Sequence, residues 1–181
     1  ERVPTAKQHG VHYTPPALAT FLARRMLAHI DSSKSVSVLD PACGDGELLA
    51  AIAEVGGPTV ASLTGIDRDE AAIAESSNRL EGVGVPTDVH PSDFIDPACL
   101  DLAARRFDAV ISNPPYVRTQ VLGADEAQRL GKKFGLKGRV DLYHAFACGM
   151  TEHLNEGGIL GLLCSNRFLT TKGGASLRTF L

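Results

Sequence analysis

Asn113-Pro114-Pro115-Tyr116 closes the apolar run Phe107-Asp108-Ala109-Val110-Ile111-Ser112, and these four residues have the chemistry to grip a planar amine. Such a run reads as a buried strand that delivers a polar amide to a sheet edge, where two prolines stiffen the exit. Proline holds φ at about −65° and lacks an N–H, so the turn cannot be drawn into a helix or a ladder. Pro115 also drives Pro114 towards an extended conformation, which turns the Pro114 carbonyl outward. The Asn113 side-chain oxygen and that carbonyl then form two acceptors for the two hydrogens of one amine. Tyr116 adds an aromatic face for the ring that carries the amine.

A second group of polar residues recurs where strands should end. Asp40-Pro41-Ala42-Cys43-Gly44-Asp45-Gly46 is a tight loop whose Gly44 and Gly46 permit close backbone approach. It lacks the third glycine of the dinucleotide fingerprint, and its acidic Asp40 and Asp45 would repel a pyrophosphate. A cationic group, such as an amino-acid ammonium beside a sulfonium, suits it better. Asp67 follows the glycines by about 20 residues, the place where an acid at a strand end can hold ribose hydroxyls. Asp93-Phe94 offers an acceptor for an exocyclic amine and a ring to pack on. Each piece has a plainer reading: a turn at the glycines, a helix cap at Asp67, a cap beside a core aromatic at Asp93-Phe94, a stiff loop at Asn113. Their common position at strand ends favours a shared site.

The elements that must position these residues alternate. Helical periods fall on residues 17–29, 47–55, 69–80, 97–105 and 141–154, with a further helical start at 175–181. Strand patterns fall on 35–40, 60–66, 85–90, 107–112 and 159–164. Thr14 suits the first helix's N-cap and Pro15 its first position. Pro86 marks the third strand as an edge or a strand start. Residues 117–140, interrupted by Gly123, Gly131, Gly135 and Gly138, read as a long connection. Alternating strands and helices imply a doubly wound α/β fold with a mostly parallel sheet, in which ligands sit beyond the carboxyl ends of the strands.

The chain has 181 residues, 44% apolar and 22% charged, with a net charge of −3. This suits one globular domain and excludes a uniformly basic nucleic-acid coat, while leaving room for a local basic patch. No apolar run approaches the roughly 20 residues of a membrane span, so no membrane partner is expected. Cys43, Cys99, Cys148 and Cys164 form no C-x-x-C pair, and the six histidines have no ligand spacing. Reduced thiols in a cytoplasmic protein and no metal site are the expectation.

Together the motifs resemble the S-adenosylmethionine-dependent N6-adenine DNA methyltransferases, of the restriction–modification or phage-defence type in which an N-terminal motif precedes the cofactor loop. The resemblance rests on His12-Tyr13-Thr14-Pro15, the loop from Asp40 to Gly46, Gly65-Ile66-Asp67, Asp93-Phe94, Asn113 to Tyr116, and Asp141-Leu142-Tyr143 before Gly157-Gly158. It implies a Rossmann-like class I methyltransferase core, formed by residues 35–181 with an N-terminal segment and helix in 1–34, and lacking its last strands. It further implies that Tyr13, Thr14, Asp40, Ala42, Gly44 and Gly46 meet the methionine part of the cofactor, Asp40 facing its ammonium. Asp67 would hold the ribose, Asp93 the adenine amine, and Phe94 the adenine ring. Asn113, Pro114 and Tyr116 would face the target base.

Arg118, Lys132, Lys133 and Arg139, in the connection, read either as a solvated charged stretch or as contacts to the phosphates of double-stranded DNA. Arg167 and Lys172 can join them. A target-recognition domain or subunit is expected outside these residues, and this segment alone is expected to methylate DNA poorly. Two other readings stand beside the first. One is a protein-glutamine or guanine-N2 methyltransferase, which uses the same four-residue motif on another planar nitrogen; the segment before the cofactor loop speaks against it. The other is a non-catalytic cofactor- or DNA-binding module of a defence complex.

Overall fold

The computed structural model describes residues 13–31, 33–95, 102, 104–117, 121, 123–137, 141–171 and 174–181. Five strands form one sheet: β1 (Val36–Asp40), β2 (Val60–Asp67), β3 (Thr87–Pro91), β4 (Phe107–Ser112) and β5 (Leu154–Leu162), in the order β3-β2-β1-β4-β5. All four pairings are parallel. The chain therefore winds outward from β1 to the β3 edge, then returns to lay β4 against the other side of β1. The switch point lies between β1 and β4, where a parallel sheet opens a crevice for ligands.

Helices α1 (Pro16–Leu27), α2 (Glu47–Gly56), α3 (Glu70–Arg79), α4 (Ala124–Phe134), α5 (Leu142–Glu152) and α6 (Ala175–Phe180) flank the sheet. The period of two in the central strands divides the core between its faces. Val38, Leu63, Ala109 and Ile111 pack with α1, α2 and α3 on one side. Leu39, Ile66 and Val110 pack with α4, α5 and α6 on the other. Burial on both faces explains why these strands read as apolar runs rather than alternating ones. The expected doubly wound parallel sheet is the fold observed.

Three local differences have physical causes. The cap of α1 falls one residue later than expected, with Pro15 at the cap and Pro16 the first helical residue. Thr14 caps nothing; its hydroxyl is turned to another partner described below. The stretch 117–140, expected to be a connection, contains the helix α4. Two of its glycines bracket that helix instead of breaking it: Gly123 at the N-cap has φ 90°, and Gly135 at the C-cap has φ 65°. Ala127, Leu130 and Phe134 give α4 a buried stripe, with acids in its first turn and lysines in its last. Strand β5 begins at Leu154, earlier than expected, and pairs with β4 across a register shift between Phe107 and Ala109. Pro86 immediately precedes β3, an edge strand, where its missing N–H costs no ladder bond. The helix expected over 97–105 lies largely outside the described residues, as do His12 and Cys99.

Candidate functional site

The carboxyl ends of β1, β2 and β4, together with the segment after β3, surround one cavity of about 800 Å³. Its floor is the loop after β1. Gly44 there has φ +53°, and a Cβ on it would meet no protein atom within 4 Å, so the backbone faces open space. Gly46, with φ 81°, caps α2. The loop is tied to the end of β2: the Cys43 N–H donates to the Ile66 carbonyl at 2.8 Å, and the Gly44 N–H to Asp67 Oδ2 at 2.9 Å. Gly65 makes this packing possible, because a Cβ on it would lie 3.0 Å from Cys43 Sγ and 2.8 Å from Val89.

The predicted residues divide between the cavity wall and the layer beneath it. Tyr13, Thr14, Ala42, Gly44, Asp67, Asp93, Phe94 and Asn113 line the wall. Asp40 and Gly46 do not; Asp40 is fully buried under the loop. One Asp40 oxygen accepts the Ala42 N–H at 3.1 Å and the Ser112 hydroxyl at 2.9 Å, which ties the ends of β1 and β4 together. Its other oxygen has no hydrogen-bond partner among the described residues. Burial, opposed by these two bonds and assisted by the charge of Asp67, pushes the carboxyl up to about 7.

Asp67 holds the loop through one oxygen and caps the Asp69 N–H with the other, while a carboxylate keeps further lone pairs for a ligand. Asp93 receives the Ile95 N–H at 3.0 Å. The Phe94 ring tilts against Phe146 at 5.5 Å and His153 at 5.4 Å, so its position is fixed by the core behind it.

At the β4 end, Asn113 lines the cavity and its amide nitrogen donates to Thr14 Oγ1 at 3.2 Å. Pro115 also lines it, whereas Pro114 is buried and Tyr116 half-buried. The Tyr116 hydroxyl donates to the Leu163 carbonyl at 2.9 Å, and its ring lies 6.0 Å from that of Tyr143. Burial pushes this phenol up to about 12.

Of the basic residues expected to meet DNA, Lys132 is exposed on α4. Lys133 is exposed as well, and its ammonium donates to the Ile95 carbonyl at 3.2 Å and lies over the Phe134 ring. Arg118, Arg139, Lys172 and the Arg167 side chain lie outside the described residues.

Leu142 and Phe146 of α5, with Ile95, make an apolar wall beside Phe94. Leu142 belongs to the Asp141-Leu142-Tyr143 motif, Phe146 shows only as helical spacing, which does not distinguish a core face from a ligand face, and Ile95 carries no signal. Acidic side chains dominate the polar wall, with Asp45, Glu47, Asp69, Glu70 and Glu126 beside Asp67 and Asp93; Arg68 is the basic exception. A mostly acidic wall, an orphaned Asp40 oxygen beneath it and a bare Gly44 backbone fit a ligand that combines a cation, a ribose and an aromatic amine. S-adenosylmethionine has these parts. Among the described residues no group of three or more His, Cys, Asp or Glu is placed to hold a metal ion, and no helix is long and apolar enough to cross a membrane.

Residues 63–181 match the profile of the Eco57I restriction-modification methylase family. Over 97% of its length the chain is 43% identical to the type II methyltransferase M.BanIII of Aneurinibacillus aneurinilyticus, spanning 33% of that protein. It is 25% identical over 95% of its length to the type II methyltransferase M.HincII of Haemophilus influenzae, spanning 31% of it. The chain thus covers about a third of these curated relatives. Among solved structures, a protein of Listeria monocytogenes described as a class I S-adenosylmethionine-dependent methyltransferase superposes with a TM-score of 0.77 at 23% identity, over 96% of this chain and 54% of that one. The methyltransferase subunit of a type I restriction-modification system from Streptococcus thermophilus superposes with a TM-score of 0.74 at 20% identity, over 93% of this chain and 38% of that one. The fold is that of the class I S-adenosylmethionine-dependent methyltransferases.

Proposed function

From the premise that the chain belongs to the Eco57I restriction-modification methylase family, we propose that it is the catalytic core of a site-specific DNA methyltransferase acting on N6 of an adenine flipped out of double-stranded DNA. The observation that carries this reading is the presence of Asn113 on the same cavity wall as Gly44, Asp67 and Asp93. An acceptor for an amine thereby adjoins the place suited to a methyl donor.

S-adenosylmethionine, when bound, supplies a methyl group on a sulfonium, an electrophile that needs no further activation. Thr14, Ala42 and Gly44 would hold its methionine part, with Asp40 facing the ammonium from below. Asp67 would hold the ribose, Asp93 the adenine amine, and Phe94 the ring. The target nitrogen is the harder partner, because the N6 lone pair is delocalised into the base. The Asn113 side-chain oxygen and the Pro114 carbonyl would accept its two hydrogens, favour a tetrahedral nitrogen and localise that lone pair. The Asn113 amide nitrogen donates to Thr14, so in this reading the side-chain oxygen is the end that the amine would meet.

No general base is required, since the proton leaves after the new N–C bond forms and raises its acidity. Positioning of the two reactants contributes roughly 7–11 kcal/mol of such a barrier, more than the 10²–10⁴-fold, on the order of 3–5 kcal/mol, typical of acid–base help. Extracting the base from the duplex costs a few kcal/mol, and stacking on Tyr116 returns about 1–3 kcal/mol. The whole protein would add target recognition through a domain or subunit beyond these residues, and Lys132 would meet phosphate near the flipped base.

The reading is tested by incubating the full-length protein with duplex DNA and methyl-labelled S-adenosylmethionine, then digesting to nucleosides. Label in N6-methyladenine at one sequence context is expected. Label in N4-methylcytosine, or in protein glutamine with none in DNA, would overturn it.

A further inference from the structure

We propose that Arg79, the last residue of α3, is the positioning residue that locks the Gly44-Asp45-Gly46 loop in its ligand-binding form. The inference rests on the cavity being the S-adenosylmethionine site and names what keeps its floor in place.

Arg79 grips the loop from outside the cavity with all three of its guanidinium nitrogens. Nε donates to the Asp45 carbonyl at 2.8 Å and Nη2 to the Asp45 carboxylate at 2.7 Å. Nη1 pairs with the Glu47 carboxylate, also at 2.7 Å. A single side chain thus fixes the backbone and side chain of the loop's central residue together with the first residue of α2. The two carboxylates are mostly buried, with side chains 16% and 14% exposed, while Arg79 is 39% exposed. Removing the cation would leave two nearby carboxylates unpaired, a costlier state than never having formed the pair.

The backbone records the same seam. At Gly46 a Cβ would lie 2.6 Å from Ser76 Oγ and 3.2 Å from Ser76 Cα, so the loop is pressed directly onto α3. On its other side the loop is held by Ile66 and Asp67 at the end of β2. With β2 on one flank and α3 on the other, the Gly44 backbone is kept facing the cavity before any ligand arrives, and pre-organisation of this kind is expressed as ligand affinity. The planar fork is essential to the grip, because an ammonium cannot present donors to a carbonyl and two carboxylates in this arrangement.

The test compares wild type, Arg79→Lys and Arg79→Ala in the full-length protein. Calorimetry measures the affinity for S-adenosylmethionine and for S-adenosylhomocysteine, and melting of the ligand-free protein reports folding. Arg79→Ala should weaken both ligands about tenfold or more, with Arg79→Lys between it and wild type, since the charge is kept and the fork lost. In turnover the KM for S-adenosylmethionine should rise with kcat retained at saturation, a split that general destabilisation does not produce. A cooperatively melting Arg79→Ala that binds both ligands as wild type does would overturn the role. Should Arg79→Ala fail to fold, Arg79→Lys decides, and wild-type affinity in that variant overturns the role equally. Wild type that binds neither ligand would instead refute the cofactor reading on which the inference stands.

Discussion

The amide nitrogen of Asn113 donates to Thr14 Oγ1 across 3.2 Å and 99 residues of sequence. Thr14 is 8% exposed and lies on the cavity wall immediately before α1, while Asn113 follows β4. One bond therefore joins a segment of the cavity wall to the group proposed to receive the target amine, and it orients the nitrogen of the Asn113 amide towards Thr14. Thr14→Val keeps the shape and removes the acceptor. One lost hydrogen bond is worth about 1 kcal/mol, so single-turnover methyl transfer should slow about fivefold. Thr14→Ser, which keeps the hydroxyl, should stay near wild type.

Asp40 gives the protein a pH dependence whose sign follows from its burial. Its carboxyl is pushed up to about 7 in the fold, against 3.8 as the ordinary value. Between these values the folded chain holds a proton that the unfolded chain has released. The resulting stability is fully present below about pH 4, declines as pH rises through that window, and is lost above about pH 7. Denaturant unfolding of the ligand-free protein at a series of pH values should show wild type losing ground to Asp40→Asn between about pH 4 and 7, by at most about 1.4 kcal/mol per unit. Parallel profiles for the two proteins would contradict it.

Much of the fold is legible in the sequence, for specific physical reasons. Strand β4 stands where the run Phe107 to Ser112 puts it, because a strand buried on both faces must be apolar throughout, leaving little ambiguity. Asp67 has the plainer reading of a helix cap, but the cap of α3 is Asp69, which receives the Ala71 N–H, while Asp67 serves the loop. Helix α4 was missed because glycine is read first as a breaker, yet Gly123 and Gly135 terminate a helix rather than prevent one. Lys133 is the exposed cation that it reads as, and the fold adds a contact of its ammonium with the Ile95 carbonyl that no local pattern announces. Arg79 had no signal at all. A basic residue in the last turn of a helix is ordinary, and its contact with Asp45 joins residues that no local pattern connects.

The seat of α1 on the sheet depends on Gly161. A Cβ there would fall 1.9 Å from Met26 Sδ and 2.6 Å from Met26 Cγ, and Met26 is buried at 3% exposure. Gly161→Ala must therefore displace the buried Met26 side chain by which α1, the helix that follows Thr14, packs on the sheet. Overpacking of this kind costs about 1–3 kcal/mol, measurable as a shift in denaturation midpoint. Met26→Ala opens space at the same point, so the double variant should be more stable than the sum of the single losses by about 1 kcal/mol or more. Strict additivity would place the two side chains out of contact.

Asn113 offers the sharpest test of how the amine is handled. Asn113→Ala removes an acceptor that would be engaged more strongly as the target nitrogen becomes tetrahedral, a transition-state interaction of the kind worth about 10²–10³-fold in rate. Asn113→Asp keeps an oxygen acceptor at the same place, and Thr14 can turn its hydroxyl to donate where it now accepts. The expected order of single-turnover rates is wild type, then Asn113→Asp, then Asn113→Ala. For Asn113→Ala, kcat and kcat/KM for DNA should fall together, because the lost interaction belongs to the transition state rather than to binding. A rise in the KM for S-adenosylmethionine with kcat preserved would instead assign Asn113 to the cofactor, and the amine would need another acceptor.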